Sequence, residues 1–295
     1  MGDLKGVCIP VCTPFTEDGS AVDEAAFLRH LDSMLEAGVP IIAVNGGTGE
    51  FPFLSEDEKR RIAEISARHL DGKATLVVQT SAIRTEDAIE ASKHAEGCGA
   101  DVLLVLPPYF EGPGESGVLW HYERVAAAVS CEIMAYNIPV FSGFDVTPEI
   151  FAKLRAFDGI AYLKDSTGDM LRLEQLVASG ARVFNGCDYL SLYGLMAGCA
   201  GCFWGGANAM PAEAVSLYDH CAAGRYAEAQ ALWQRLKAAS LFFWTHPFNP
   251  SVKAATEMSG RPVGQCRKPV LPITESELQE LRAAMAALED GRTAA

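Results

Sequence analysis

The stretch Gly159-Ile-Ala-Tyr-Leu-Lys-Asp-Ser-Thr-Gly168 is a short apolar run that ends in a lysine and a small polar turn. An apolar run of this length between turn residues predicts a β-strand buried on both faces, as in a parallel sheet. Similar runs recur at short intervals along the whole chain. Together they predict strands at Val7–Thr13, Ile41–Asn45, Thr75–Gln79, Val102–Leu106, Glu132–Asn137, Ile160–Lys164, Val183–Asn185 and Cys202–Gly205.

Amphipathic helical stretches lie between these runs. The second of them opens with Ser55 and Glu58, which have the spacing of a capping box and mark a helix start. The stretches predict helices at Asp23–Glu36, Ser55–Leu70, Thr85–Cys98, Gly117–Val129, Pro148–Leu154, Leu171–Val177, Leu190–Met196 and Pro211–Ala222.

The regular alternation of strands and helices predicts an α/β protein whose parallel sheet closes into a (β/α)₈ TIM barrel. An open, doubly wound sheet is the alternative, but the segment Pro14–Gly19 after the first strand lacks the G-x-G-x-x-G turn of dinucleotide folds. Three further helices are predicted at Tyr226–Phe243, Ser251–Ser259 and Glu275–Leu288. We therefore expect a barrel over residues 1–224 and a C-terminal helical extension over residues 225–295, packed on the barrel or at a subunit contact.

Composition and charge exclude several classes of function. The 295 residues are 49% hydrophobic, which is enough apolar material for a large core. A net charge of −14 repels nucleic acid and anionic membrane surfaces, so neither is an expected partner. The N-terminal residues lack a signal-peptide pattern, no apolar run is long enough to span a bilayer, and nine scattered cysteines indicate thiols in a reducing compartment. We expect a cytoplasmic protein.

Barrel enzymes carry their chemistry at the C-terminal ends of the strands, so the residues that follow each predicted strand identify the candidate site. The second strand is followed by Gly46-Gly-Thr-Gly-Glu50, and the fifth ends in Tyr136-Asn-Ile-Pro139. The sixth ends in Lys164, the seventh is followed by Gly186-Cys-Asp188, and the eighth by Gly205-Gly-Ala-Asn208. These polar residues are all expected at one rim.

Each of these features has a structural and a chemical interpretation. The glycine run is either a tight turn or a cradle of backbone N–H groups that suits a carboxylate, and it lacks the Lys-Ser/Thr pair of a P-loop. Lys164 either points into solvent or lies inside the barrel, where desolvation favours the neutral amine that attacks a carbonyl. Tyr136 is either an ordinary strand aromatic or a phenol that transfers protons.

No metal or cofactor is expected at this site. The sequence lacks a cluster of His, Asp, Glu or Cys residues with ligand spacing around the lysine. Cys199-Ala-Gly-Cys202 has the C-x-x-C spacing, but neither a second such pair nor a histidine pair accompanies it, which favours packing over zinc or redox chemistry.

With these residues in place, the chain resembles the class I pyruvate-dependent aldolases and dehydratases, the dihydrodipicolinate synthase and N-acetylneuraminate lyase family. The resemblance runs from Gly6–Phe15 to the Pro250–Pro269 region. Its most specific segments are GGTGE at 46–50, YNIP at 136–139 and LKDSTGD at 163–169.

The resemblance implies roles for several residues. Lys164 would be the Schiff-base lysine, and Tyr136 the proton-transferring phenol. Gly47 and Thr48 would bind the carboxylate of a small 2-keto acid through their amides, and the Thr48 hydroxyl would lie near the proton relay. Tyr109 matches a tyrosine that reaches the neighbouring subunit's site, which implies a homo-oligomer, usually a dimer of dimers. Ser166, inside the lysine motif, is a further candidate substrate contact.

The chain also departs from individual branches of the family. Phe141 stands where dihydrodipicolinate synthase has an arginine that clamps the aldehyde's carboxylate, and Gly47 replaces a threonine of its relay. Gly186 and Asp188 match positions that hold the polyol chain in sialic acid lyases. Gly205 stands where those enzymes have a serine, and we expect it to widen the wall of the site. The segments GGTGEF and EFPFL resemble deoxy-oxoglucarate dehydratases and 4-hydroxy-2-oxoglutarate aldolases.

The sequence therefore predicts a Schiff-base lyase that cleaves or dehydrates 4-hydroxy-2-keto acids such as 2-keto-3-deoxy sugar acids, and that uses aspartate semialdehyde poorly. The first alternative is 4-hydroxy-tetrahydrodipicolinate synthase, and the second is N-acetylneuraminate lyase. A non-catalytic keto-acid-binding barrel is a rival that would not require the lysine and the phenol. Another basic residue, such as Arg84 or Lys253, is a candidate to replace the missing arginine.

Overall fold

The computed structural model describes residues 3–293, with side chains as far as residue 288. Within that range eight parallel strands close into a barrel, and each is hydrogen-bonded to its neighbours in chain order. The strands, labelled β1 to β8, are Gly6–Pro10, Ile41–Val44, Thr75–Gln79, Val102–Val105, Glu132–Asn137, Ile160–Asp165, Arg182–Asn185 and Gly201–Phe203. Pairing of β8 with β1 completes the closure, so the predicted TIM barrel is confirmed and the open sheet is excluded.

Helices connect successive strands and continue beyond the last one. Labelled α1 to α12, they are Glu24–Glu36, Glu56–Leu70, Thr85–Cys98, Glu115–Ala126, Pro139–Ser142, Pro148–Leu154, Met170–Ala178, Ser191–Met196, Pro211–Ala222, Tyr226–Thr245, Phe248–Met258 and Glu275–Thr293. Helix α10 packs against α9 and α8, so the helices after the barrel lie on its side. The division at residue 224 falls between α9 and α10, and as a domain boundary it stays a prediction.

The predicted start of α2 shows how local sequence sets an element. The Ser55 hydroxyl accepts a hydrogen bond from the Glu58 amide at 3.2 Å, and the Glu58 carboxylate accepts one from the Ser55 amide at 2.8 Å. This capping box satisfies two donors that the first turn of a helix cannot pair internally. It fixes where the chain leaves the loop that follows β2.

The core has two layers because each strand is apolar on both faces. Side chains at alternate positions, such as Ile41, Ala43 and Phe203, fill the barrel interior. Their neighbours Ile42 and Val44 point outward and pack beneath the helices. This is the period-2 arrangement of a strand with no solvent face, and it explains why the strands appear in the sequence as continuous apolar runs.

Several predicted element boundaries are wrong. Strand β1 ends at Pro10, not at Thr13, because the Cys12 amide leaves the ladder and donates to the Asn208 side chain at 3.1 Å. Strand β8 ends at Phe203, and the chain then enters a 3₁₀ turn over Gly205–Asn208. Helix α11 begins three residues before the predicted start, because Pro250 is tolerated in the first turn of a helix.

The nine cysteines are free thiols, and burial raises the pKa of Cys199 in the C-x-x-C pair to about 12. Across residues 3–293 no helix has both the length and the apolar character to cross a membrane. In the same part of the chain no group of three or more His, Cys, Asp or Glu side chains is arranged to hold a metal.

Closure of the barrel between β8 and β1 requires a glycine at position 201. A Cβ added there would lie 2.0 Å from the Gly6 carbonyl oxygen and 2.5 Å from the Phe184 ring. We expect Gly201→Ala to lower the free energy of unfolding by roughly 3 kcal/mol, because backbone and a core ring must both move. Chemical denaturation followed by circular dichroism measures this change.

The matched control is Gly97→Ala near the end of α3, where an added Cβ meets nothing within 4 Å. There the same substitution should raise the free energy of unfolding by about 0.5 kcal/mol, because alanine is the better helix former. Equal effects at the two positions would contradict this account of the β8–β1 contact.

Candidate active site

Strand β6 carries Lys164 into the barrel. Leu163 packs outward beneath the helices, whereas Tyr162 on the alternate face lies in the interior layer. Lys164 has the same parity as Tyr162 and is only 7% exposed. The interpretation in which this lysine points into solvent is therefore wrong.

Two aromatic rings hold the amine in place. The register of β5 and β6 pairs Tyr136 directly with Lys164. The Lys164 Nζ lies 3.8 Å from the centroid of the Tyr136 ring and 4.6 Å from that of Phe203 on β8. The amine and the phenol predicted from the sequence are thus neighbours, and Phe203 is a third member of the group that sequence reasoning did not identify.

The loop after β7 leaves room for the lysine. A Cβ at Gly186 would lie 2.0 Å from the Ser166 hydroxyl and 3.1 Å from the Lys164 Cε. The Ser166 hydroxyl in turn donates to the Gly186 carbonyl at 3.2 Å. Gly186 and Ser166 therefore shape the space beside the amine. A side chain at position 186 would displace the Ser166 hydroxyl and crowd the Lys164 side chain.

Asp188 is buried and links two rim loops. Its carboxylate accepts hydrogen bonds from the amides of Gly205 at 3.1 Å and Gly206 at 2.7 Å. Burial raises the pKa of Asp188 to about 7, against these hydrogen bonds and the charge of Lys164, which lower it. Asp188 thus holds the loop after β8, whereas the family resemblance assigns it to a substrate's polyol chain.

The glycine run after β2 forms a compact loop. The Thr13 hydroxyl donates to the Gly49 carbonyl at 2.8 Å, and the Glu50 amide donates to the Gly47 carbonyl at 3.0 Å. Glu50 adopts the left-handed conformation with φ 59°. Thr48 is buried, whereas Gly47 is exposed at the rim. The loop has the form of a backbone cradle, and its role in binding a carboxylate stays a prediction.

Thr48 and Gly205 face each other, with a ring beside them. A Cβ at Gly205 would lie 2.8 Å from the Thr48 hydroxyl and 2.7 Å from the Phe248 ring. The expectation that Gly205 widens the wall is therefore wrong, because Phe248 from α11 fills the space that the missing side chain leaves.

The other two predicted residues, Phe141 and Tyr109, differ in burial. Phe141 lies on the short helix α5 and is 77% exposed. Tyr109 follows β4 and packs edge-to-face on Phe51, with ring centroids 6.2 Å apart. Phe141 therefore belongs to the outer mouth, and Tyr109 to the flank of the cradle loop.

The two candidates for a replacement clamp are engaged elsewhere. Lys253 is buried and paired with Glu50 at 2.7 Å. Arg84 is exposed, lies 3.3 Å from Asp87 and borders a groove of about 750 Å³ beside α2 and α3. Lys253 is therefore not available to replace the missing arginine, and for Arg84 that role stays a prediction.

A buried amine against a phenol, next to a backbone cradle at the C-terminal rim of a barrel, defines a class I Schiff-base lyase. Comparison with known proteins agrees: residues 3–288 match the model of the dihydrodipicolinate synthetase family. The chain belongs to this family, and it is an enzyme.

Individual relatives match almost the full length of the chain. The 4-hydroxy-tetrahydrodipicolinate synthase of Brucella abortus is 33% identical over 288 residues, which cover 96% of this chain and 97% of the relative. A putative dihydrodipicolinate synthetase from Pseudomonas aeruginosa superposes with a TM-score of 0.92 at 29% identity, covering 96% and 99% of the two chains. A monomeric dihydrodipicolinate synthase variant superposes with a TM-score of 0.91 at 27% identity, covering 96% of each chain.

The raised pKa of Asp188 predicts a pH-dependent stability. Its folded pKa of about 7 exceeds the ordinary value of 3.8, so the folded state binds the proton more tightly than the unfolded state. The resulting stabilisation is complete below the ordinary value and is lost as the pH rises to about 7. We expect the stability of the wild type relative to Asp188→Asn to fall over this window by at most about 1.4 kcal/mol per pH unit.

Urea denaturation of both proteins at about pH 5 and about pH 8 measures this difference, and the other titrating groups cancel between them. A difference that stays constant between the two pH values would show that Asp188 titrates in its ordinary range.

Proposed function

We propose that this enzyme forms an imine between Lys164 and pyruvate, and that the resulting enamine makes or breaks a carbon–carbon bond. The observation that carries the proposal is the position of the Lys164 amine, buried between the rings of Tyr136 and Phe203. A lysine amine held in a protein interior is the nucleophile that condenses with a ketone.

The steps follow from the residues at the rim. The Nζ attacks the C2 ketone, and water leaves as the iminium forms. The positive iminium withdraws electrons, so a proton leaves C3 and the enamine results. The enamine carbon then attacks an aldehyde, and the aldehyde oxygen takes up a proton. Water hydrolyses the resulting iminium, which releases the keto-acid product and frees the Lys164 amine. Tyr136 is the nearest phenol to carry these protons, and the amides of Gly47 and Thr48 would hold the carboxylate.

The first candidate for the aldehyde is aspartate semialdehyde, which would make the chain a 4-hydroxy-tetrahydrodipicolinate synthase. Its support is the name shared by relatives that each align with 96% of the chain. These comparisons favour this alternative over the sugar-acid lyase that the sequence analysis put first.

The second candidate is cleavage or dehydration of a 4-hydroxy-2-keto acid. Phe141 supports it, because an exposed aromatic side chain stands where the resemblance expects a carboxylate-binding arginine. Loss of a bidentate guanidinium contact typically costs on the order of 2–4 kcal/mol in binding. Lys253 does not compensate, since its ammonium group is buried against Glu50.

The oligomeric state of the enzyme is also proposed from the family resemblance. Tyr109 is half-buried against Phe51, beside the cradle loop. We propose a homo-oligomer in which Tyr109 also reaches the neighbouring subunit's site, as the family resemblance implies.

Imine formation is tested directly by reduction. Incubation with pyruvate and borohydride in buffer that contains EDTA should add a three-carbon unit to Lys164, because the reduced imine is a stable amine. Mass spectrometry of the digested protein locates the adduct. Lys164→Ala should abolish it, whereas Lys153→Ala, at an exposed lysine on α6, should leave it unchanged. An adduct at another lysine would refute the assignment.

The aldehyde is tested by kinetics. We expect kcat/KM for aspartate semialdehyde with pyruvate to exceed that for 2-keto-3-deoxy acids and N-acetylneuraminate by at least about tenfold, a difference of roughly 1.4 kcal/mol. The reverse order would select the second candidate. In that case Phe141→Arg should raise kcat/KM for the semialdehyde by about thirtyfold or more, because it restores a charge-assisted contact.

A further inference from the structure

Helix α11 lies outside the strand–helix repeats of the barrel, yet its first residues contact the cradle. The Asn249 side chain donates to the Gly47 carbonyl at 2.9 Å. The Phe248 ring lies against Gly205, where a Cβ would also meet the Thr48 hydroxyl. One turn further on, Lys253 pairs with Glu50. Helix α11 therefore contacts the cradle loop at Gly47 and at Glu50, and its Phe248 ring lies near the Thr48 hydroxyl.

Lys253 and Glu50 form a buried ion pair. Glu50 is 0% exposed and Lys253 is 2% exposed. The Lys253 ammonium lies 2.7 Å from the Glu50 carboxylate and donates to the carbonyls of Thr13 at 2.8 Å and Gln265 at 2.9 Å. These three partners match its three hydrogens. The other Glu50 oxygen accepts from the Arg267 amide at 3.0 Å. Glu50 is thus held in its left-handed conformation, which a residue other than glycine adopts at a cost.

The Asn249 contact has a directional consequence. A trans peptide is planar, and its C=O and N–H point in opposite directions. The Gly47 carbonyl accepts from both Asn249 and Glu50, so the plane of the Gly47–Thr48 peptide is fixed from outside the barrel. The direction of the Thr48 N–H is fixed with it. This N–H is one of the two donors assigned to the substrate's carboxylate.

We propose that Asn249 and Lys253 of α11 are positioning residues that orient the Gly46–Glu50 loop for binding the carboxylate of a 2-keto acid. The proposal rests on the proposed function, because it takes pyruvate as the ligand of the cradle. The C-terminal extension then supplies part of the substrate site as well as covering the barrel.

The test is Asn249→Ala, with pyruvate as the probe. The concentration of pyruvate that gives half-maximal borohydride trapping should rise by roughly threefold to tenfold, because one orienting hydrogen bond is lost. Trapping at saturating pyruvate should be retained, since Lys164 and Tyr136 are untouched. Asn249→Gln, which keeps an amide donor, should recover part of the affinity.

Glu257→Ala is the matched control. Glu257 lies on the same helix and accepts from the amides of Val263 and Gly264, away from the cradle. Its loss removes a tie between α11 and the chain, as Asn249→Ala does, so both variants should lower the melting temperature. Only Asn249→Ala should change the half-saturating pyruvate concentration.

Lys253 needs a paired substitution, because removing one partner alone strands a buried charge. Lys253→Met with Glu50→Gln removes both charges and should also raise the half-saturating concentration. If the wild type traps pyruvate but Asn249→Ala binds it with wild-type affinity, the inference on α11 is wrong and the proposed function stands. If the wild type traps no pyruvate at Lys164, the proposed function fails and the inference fails with it.

Discussion

Closure of the parallel sheet is the constraint on which the rest of the structure depends. Because neighbouring strands run in the same direction, their C-terminal ends meet at one rim, and residues far apart in sequence become neighbours. Register then sets which side chains meet: β5 and β6 pair Tyr136 with Lys164. Glycines at positions 186 and 201 keep this geometry possible, since a Cβ at Gly201 would collide with the Gly6 carbonyl oxygen and one at Gly186 with the Ser166 hydroxyl beside Lys164. The site is therefore a consequence of the barrel's closure.

Two buried carboxylates at the rim, Asp188 and Glu50, have close partners. The Asp188 carboxylate accepts hydrogen bonds from two backbone amides, and burial raises its pKa whereas the charge of Lys164 lowers it. Glu50 forms an ion pair with Lys253. Buried charges without such partners would destabilise the fold, so these contacts allow a polar site inside an apolar barrel. The two carboxylates therefore have different structural roles. Asp188 holds the loop after β8, and Glu50 holds the cradle loop through Lys253 and not through Lys164.

Much of the fold and the centre of the site could be predicted from the sequence, because both depend on local patterns. Continuous apolar runs identified the strands, and their last residues identified Lys164 and Tyr136. What failed depended on long-range contacts: the end of β1 is set by Asn208, almost two hundred positions away, and the space beside Gly205 is filled by Phe248. The contacts of α11 with the Gly46–Glu50 loop could not be predicted for the same reason. Asn249 and Lys253 have the one-turn spacing of a single helix face, but nothing local indicates what that face contacts.

The charge of the molecule bears on the proposed role of the cradle in binding a carboxylate. A chain with a net charge of −14 repels an anionic 2-keto acid, the proposed substrate, at long range. Attraction must come from nearby donors whose directions are already fixed, because a flexible loop would lose entropy on binding and offset the weak interaction. A glycine-rich loop alone is flexible, since glycine restricts the backbone least. The hydrogen bond of Asn249 to Gly47 and the buried pair of Lys253 with Glu50 restrict that freedom, as the proposed binding of a carboxylate requires.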